Sequence, residues 1–62
     1  MPFIHVKMLE GRTEEQKRRL VRALTDAIVD TCGAPADGTT VVIDEYPRGH
    51  WARGGELLSD RK

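Results

Sequence analysis

Two residues near the start of the chain have types and positions that suit proton transfer between carbon and oxygen: Pro2 and Arg12. Pro2 follows the initiator methionine. Cells usually remove that methionine when the next residue is small, and proline qualifies. The processed chain then begins with a secondary amine, which accepts protons well once it is neutral. In water such an amine is mostly protonated at pH 7. Burial in an apolar pocket disfavours the charged form and lowers its pKa, and a nearby arginine acts in the same direction. A base tuned toward neutral pH is what proton transfer needs. Phe3, Ile4, Leu9 and Trp51 are available as apolar walls. The plainer alternative is that Pro2 merely opens a strand.

Arg12 precedes Thr13-Glu14-Glu15-Gln16, a helix start. Free N–H groups and the helix dipole favour anions there, and a guanidinium clamps a carboxylate through two hydrogen bonds. The alternative is a solvated surface arginine. Trp51 is the only tryptophan, follows His50 and has glycines on both sides. It suits stacking on a planar conjugated ligand, or anchoring an interface, and both hold if the pocket lies at an interface. His50 fits a structural hydrogen bond better than acid–base work. His5 and Lys7 alternate along the first strand as exposed or interfacial groups. Cys32, at a helix end, reads as a small buried side chain, and Lys17-Arg18-Arg19 as a solvated helix face. His5, His50 and Cys32 do not have the spacing of a zinc site.

Three elements must hold these residues in place. Residues 2–9 alternate, with Ile4, Val6 and Met8 on one side and Phe3, His5, Lys7 and Leu9 on the other, which predicts a strand. Glu10-Gly11-Arg12 is a turn. Thr13 as N-cap with Gln16 three residues on makes a capping box. Leu20, Leu24 and Ile28 then recur on one helical face, opposite Lys17, Arg18, Arg22, Asp26 and Asp30. The helix should stop near Cys32-Gly33, where glycine suits the C-cap and Pro35 blocks continuation. Asp37-Gly38 is a turn, and the β-branched run at residues 39–46 predicts a second strand bounded by Pro47. Residues 50–58 read as a short hairpin or loop, and the last four as frayed. A helix crossover makes the two strands parallel. The fold class is α+β, a β-α-β unit with a short C-terminal hairpin, in one domain spanning residues 1–62.

A chain of 62 residues buries only about 60% of its unfolded surface and is marginal alone. One cysteine rules out an internal disulfide, so association with further copies is the remaining source of stability. Two strands and a helix also leave one sheet face bare for another copy to cover. Ten basic and ten acidic residues balance, giving no general attraction to nucleic acid or anionic membrane. No apolar run approaches the roughly 20 residues of a membrane span, and no signal peptide is evident. A free cysteine suits a reducing compartment, and a cytoplasmic protein is the simplest reading.

With Pro2, the stretch "LEGRTEEQKRRLVRAL", the "AP" at 34–35, and "GHW" followed by "GGEL", the chain resembles the 4-oxalocrotonate tautomerase family over almost its whole length. The resemblance implies a β-α-β unit that dimerises into a four-stranded sheet, commonly assembles as a hexamer (a trimer of dimers), carries its sites between subunits, and needs no metal or organic cofactor. It implies that Pro2 is the general base once Met1 is gone. It implies that Arg12 binds a substrate carboxylate and that Trp51 and Leu9 line the apolar pocket, Trp51 standing where phenylalanine is usual. One position departs. The family enzyme acting on 2-hydroxymuconate has a second arginine early in its second strand, and Thr40 stands there. Loss of a charge-assisted contact of about 1.5–3 kcal/mol corresponds to roughly 10- to 150-fold in that interaction. Arg53 and Lys7 are the substitutes to consider.

The leading expectation is a cofactor-independent tautomerase of 2-hydroxydienoate and 2-oxoenoate acids, a homo-oligomer acting on a small 2-oxo or 2-hydroxy acid. A second reading is a dehalogenase or hydratase of the same superfamily, in which Pro2 stays cationic and a carboxylate activates water. Arg53 near the position where those relatives carry a glutamate argues against it. A third is a non-catalytic oligomer that binds a small ligand, which a retained Met1 would favour.

Overall fold

The computed structural model describes residues 1–61. Strand β1 spans Phe3–Leu9, helix α1 spans Glu14–Cys32, and strand β2 spans Thr40–Tyr46. Each strand begins one residue later than the alternation alone suggests. The strands pair in parallel, in register from Phe3 opposite Thr40 to Leu9 opposite Tyr46. Paired residues share a face, so Ile4, Val6 and Met8 line up with Val41, Ile43 and Glu45. The other face carries Phe3, His5, Lys7 and Leu9 with Thr40, Val42, Asp44 and Tyr46, including a hydrogen bond between the His5 ring and the Asp44 carboxylate.

The helix starts and stops for the reasons its sequence predicts. Thr13 Oγ1 accepts the Gln16 N–H at 3.1 Å and Gln16 Oε1 accepts the Thr13 N–H at 2.9 Å, so two otherwise orphaned donors are satisfied. Glu14 and Glu15 occupy the first turn, where the dipole favours acids. At the other end Gly33 adopts φ 70° and donates its N–H to the Val29 carbonyl at 3.0 Å, a left-handed cap that suits glycine. Cys32 is exposed, contrary to expectation. It stands at the last turn, where the chain turns away at Gly33, and its sulfur meets the Thr31 hydroxyl at 3.5 Å. Residues 36–38 make a single 3₁₀ turn leading into β2.

After a second 3₁₀ turn at Arg48–His50, β3 (Ala52–Arg53) and β4 (Glu56–Leu57) form an antiparallel hairpin. Its two-residue turn places Gly54 and Gly55 at φ 57° and 82°, the doubly positive geometry that fits the twist of a hairpin. For residues 59–61 the expected fraying at the chain end is not met. Residues 58–60 form a 3₁₀ turn, Arg48 donates to the Leu58 carbonyl at 3.3 Å, and Arg61 Nε pairs with Glu56 at 3.0 Å. Lys62 lies outside the described residues.

Leu58 is the one buried apolar residue among those described, while Phe3 stays 64% exposed. The accessible surface is 4834 Å², against about 4,000 Å² for a folded monomer of this mass. The radius of gyration is 14.8 Å, where a compact chain of this length has about 11 Å. The surplus of roughly 800 Å² is about one partner's share of a standard interface. No helix among the described residues is long and apolar enough to cross a membrane.

Candidate active site

Because the strands are parallel, both amino ends lie at one edge of the sheet and both carboxyl ends at the other. Pro2 stands at the amino edge. It is half-buried, and its carbonyl accepts the Thr40 N–H at 3.0 Å, which anchors the residue to the head of β2. Its nitrogen carries the peptide bond to Met1, which is fully exposed. Thr40, where the resemblance expected an arginine, therefore fixes the Pro2 backbone through its own main chain and puts no cation there.

The remaining candidates gather at the carboxyl edge. Leu9 pairs with Tyr46, and Glu10 N–H donates to the Tyr46 carbonyl at 2.9 Å, closing β1 against β2. The Trp51 ring meets the Tyr46 ring edge-on, with centroids 6.0 Å apart, and Trp51 is half-buried. Arg12 follows Gly11, whose φ of 126° lets the chain swing from strand to helix. On the helix side of this edge, Arg12 lines a pocket of about 230 Å³ together with Met8, Gln16, Lys17 and Leu20. Arg12 forms no ion pair with a carboxylate among the described residues.

Pro2 and Leu9 are seven strand positions apart, about 23 Å at a rise near 3.3 Å per residue. Leu9, Trp51 and Arg12 of one chain therefore cannot enclose or hold charge beside Pro2 of that same chain. The expectation that Leu9 and Trp51 wall Pro2 fails within one chain and is open only between copies. Of the two substitutes for the missing arginine, Lys7 sits on the open sheet face and Arg53 is exposed in the hairpin. Among the described residues no three His, Cys, Asp or Glu side chains cluster to hold a metal ion.

Sequence reasoning treated Lys17 as part of a solvated cationic run. Instead Lys17 Nζ reaches Glu45 Oε1 at 2.9 Å and Glu14 Oε2 at 3.4 Å. The ammonium is held above its usual 10.5, chiefly by the hydrogen bond to Glu45, with Glu14 adding and desolvation partly opposing. The available signal was Glu45 itself, an acid in phase with the apolar Val41 and Ile43, which calls for a cation from the helix above it.

The tautomerase enzyme family model matches residues 2–61. A 2-hydroxymuconate tautomerase of Bacillus subtilis (strain 168) is 50% identical over 60 residues, covering 97% of both chains. The crystal structure of YwhB, a homologue of 4-oxalocrotonate tautomerase, superposes with a TM-score of 0.94 at 48% identity, covering 98% of this chain and 100% of that one. A heterohexameric 4-oxalocrotonate tautomerase from Chloroflexus aurantiacus J-10-fl superposes with a TM-score of 0.92 at 35% identity over the whole of both chains. With these matches, the parallel β-α-β unit and its C-terminal hairpin are a tautomerase fold. The chain belongs to the tautomerase family.

Proposed function

We propose that the protein is a cofactor-independent tautomerase interconverting 2-hydroxydienoate and 2-oxoenoate acids, with Pro2 as the general base after removal of Met1. The observation that carries this reading is the pinned, half-buried Pro2 at the head of β1. An amine whose carbonyl is anchored keeps its nitrogen in one place, and an apolar surround holds it nearer neutrality than water does. The neutral nitrogen takes the proton of the enol hydroxyl. The oxygen becomes a carbonyl, and the electron pair moves along the conjugated system. The resulting prolinium returns the proton to the distal carbon, so no proton is gained or lost overall. Arg12 holds a substrate carboxylate through charge-assisted hydrogen bonds and draws electron density toward it. Leu9 and Trp51 keep water away.

The 23 Å between Pro2 and the other groups is bridged by a second copy. If β1 pairs antiparallel with β1 of a partner, a four-stranded sheet forms and each Pro2 arrives beside the other chain's carboxyl edge. Each site then takes its base from one chain and its arginine from another. The surplus surface of the isolated chain supports association. The Bacillus subtilis relative, named for 2-hydroxymuconate, supports that substrate class, and the heterohexamer of Chloroflexus aurantiacus supports a hexamer.

The test is ketonisation of 2-hydroxymuconate, followed by ultraviolet absorption, using protein whose intact mass lacks Met1. Pro2→Ala should lose about 10²- to 10⁴-fold in rate, the usual contribution of a general base, with its melting temperature and assembly unchanged. Wild-type turnover in the Pro2→Ala variant would sink Pro2 as the base.

A further inference from the structure

Arg12 sits between two elements, so its position depends on how α1 is docked on the sheet. The capping box fixes the first turn of α1 internally. The Glu10–Tyr46 main-chain bond fixes where β1 ends. Neither ties the helix to the sheet. Among the described residues, one side-chain hydrogen bond crosses from α1 to a strand, and it is Lys17 Nζ to Glu45 Oε1 at 2.9 Å. The two side chains are only 24% and 27% exposed. Lys17 also lines the same pocket as Arg12, five residues further along the chain. Glu45 stands opposite Met8, which lines that pocket too.

We propose that the Lys17–Glu45 pair is a positioning device for Arg12, fastening the start of α1 to the carboxyl edge of the sheet so that the guanidinium stands where a substrate carboxylate arrives. The inference rests on the reading of Arg12 as the carboxylate holder. Lys17 itself touches no substrate. Its ammonium is occupied by Glu45 and Glu14, and it acts through the backbone that carries Arg12.

The test uses the assembled protein and two probes. One is turnover of 2-hydroxymuconate. The other is binding of fumarate, a planar dicarboxylate with no enol to tautomerise, followed by Trp51 fluorescence with Arg12→Ala as control. Lys17→Met should raise KM and the fumarate Kd by about tenfold while kcat changes less than threefold, the pattern of lost binding rather than lost chemistry. Lys17→Arg, which keeps the cation, should return both within about threefold of wild type. Glu45→Met, which leaves Lys17 in place but removes its partner on the strand, should raise KM and Kd as Lys17→Met does. A melting temperature lowered in Lys17→Met with KM and Kd unchanged would make the pair merely structural and overturn the proposal. KM and Kd unchanged in Glu45→Met but raised in Lys17→Met would also overturn it, since Lys17 would then be contacting the carboxylate itself. If wild type binds fumarate through Arg12 but does not turn over 2-hydroxymuconate, the proposed activity fails, and the fumarate Kd series alone decides the positioning role. Fumarate binding unaffected by Arg12→Ala would end both the role of Arg12 and this inference.

Discussion

Arg12 is the side chain on which binding and rate separate most clearly. It lines the pocket at the carboxyl edge with no carboxylate partner among the described residues, so its removal strands no partner charge among them. Arg12→Ala should therefore raise KM by roughly 10- to 150-fold, the worth of a charge-assisted contact of about 1.5–3 kcal/mol, with a smaller fall in kcat and an unchanged melting temperature. Steady-state kinetics beside a thermal melt checks this, and a lower melting temperature with unchanged KM would make Arg12 structural. The places of Pro2 at the head of β1 and of Arg12 just before α1 were legible from residue type and neighbours. Lys17 was not. Three consecutive cations carry no sign of which one turns inward, and the carboxylate that selects Lys17 lies 28 residues away in sequence. Cys32 was misjudged for the opposite reason. Cysteine is usually buried, but here the helix ends in the open.

At the level of elements, α1 illustrates what local chemistry decides. Its limits, Glu14–Cys32, follow from the Thr13–Gln16 capping box and from Gly33, all readable in order. The hairpin was half legible. The Gly54-Gly55 pair signals a tight turn, yet strands of two residues leave no alternation to read. How the helix docks was not legible, and the Lys17–Glu45 pair is the polar part of that docking. Its response to pH has a definite sign. Lys17 binds its proton more tightly in the folded state than at the ordinary value of 10.5. The pair's contribution to stability is therefore complete below 10.5, and it is lost as pH rises through the higher folded value. The difference in melting temperature between wild type and Lys17→Met should stay constant from about pH 7 to 9 and close above 10.5. A difference that closes already by pH 9 would show that the ion pair is not its source.

The whole molecule is where the isolated chain is least self-sufficient. One buried apolar residue among those described, a radius of gyration of 14.8 Å and a surface of 4834 Å² describe part of an interior rather than a finished one. Dilution should accordingly remove helical circular dichroism and catalytic turnover together, with sedimentation showing no folded monomer in between. A folded, compact monomer at low concentration would contradict this. The need for partners was readable from 62 residues and a single cysteine. The bare sheet face was readable from the β-α-β order too, and Phe3, His5 and Lys7 on it are exposed.

That open face changes how the chain should be engineered. A common remedy for a sticky recombinant protein is to replace exposed aromatic and aliphatic residues with charged ones. Phe3 at 64% and Val42 at 36% exposure, both on the open sheet face, would be on such a list. With the association proposed above, each replacement would be installed in every copy at once and would put charge on the sheet face left bare for another copy. Solubilising mutations belong instead on the outward side of the helix, around Arg18, Arg22 and Asp26, where the sequence already places its charge.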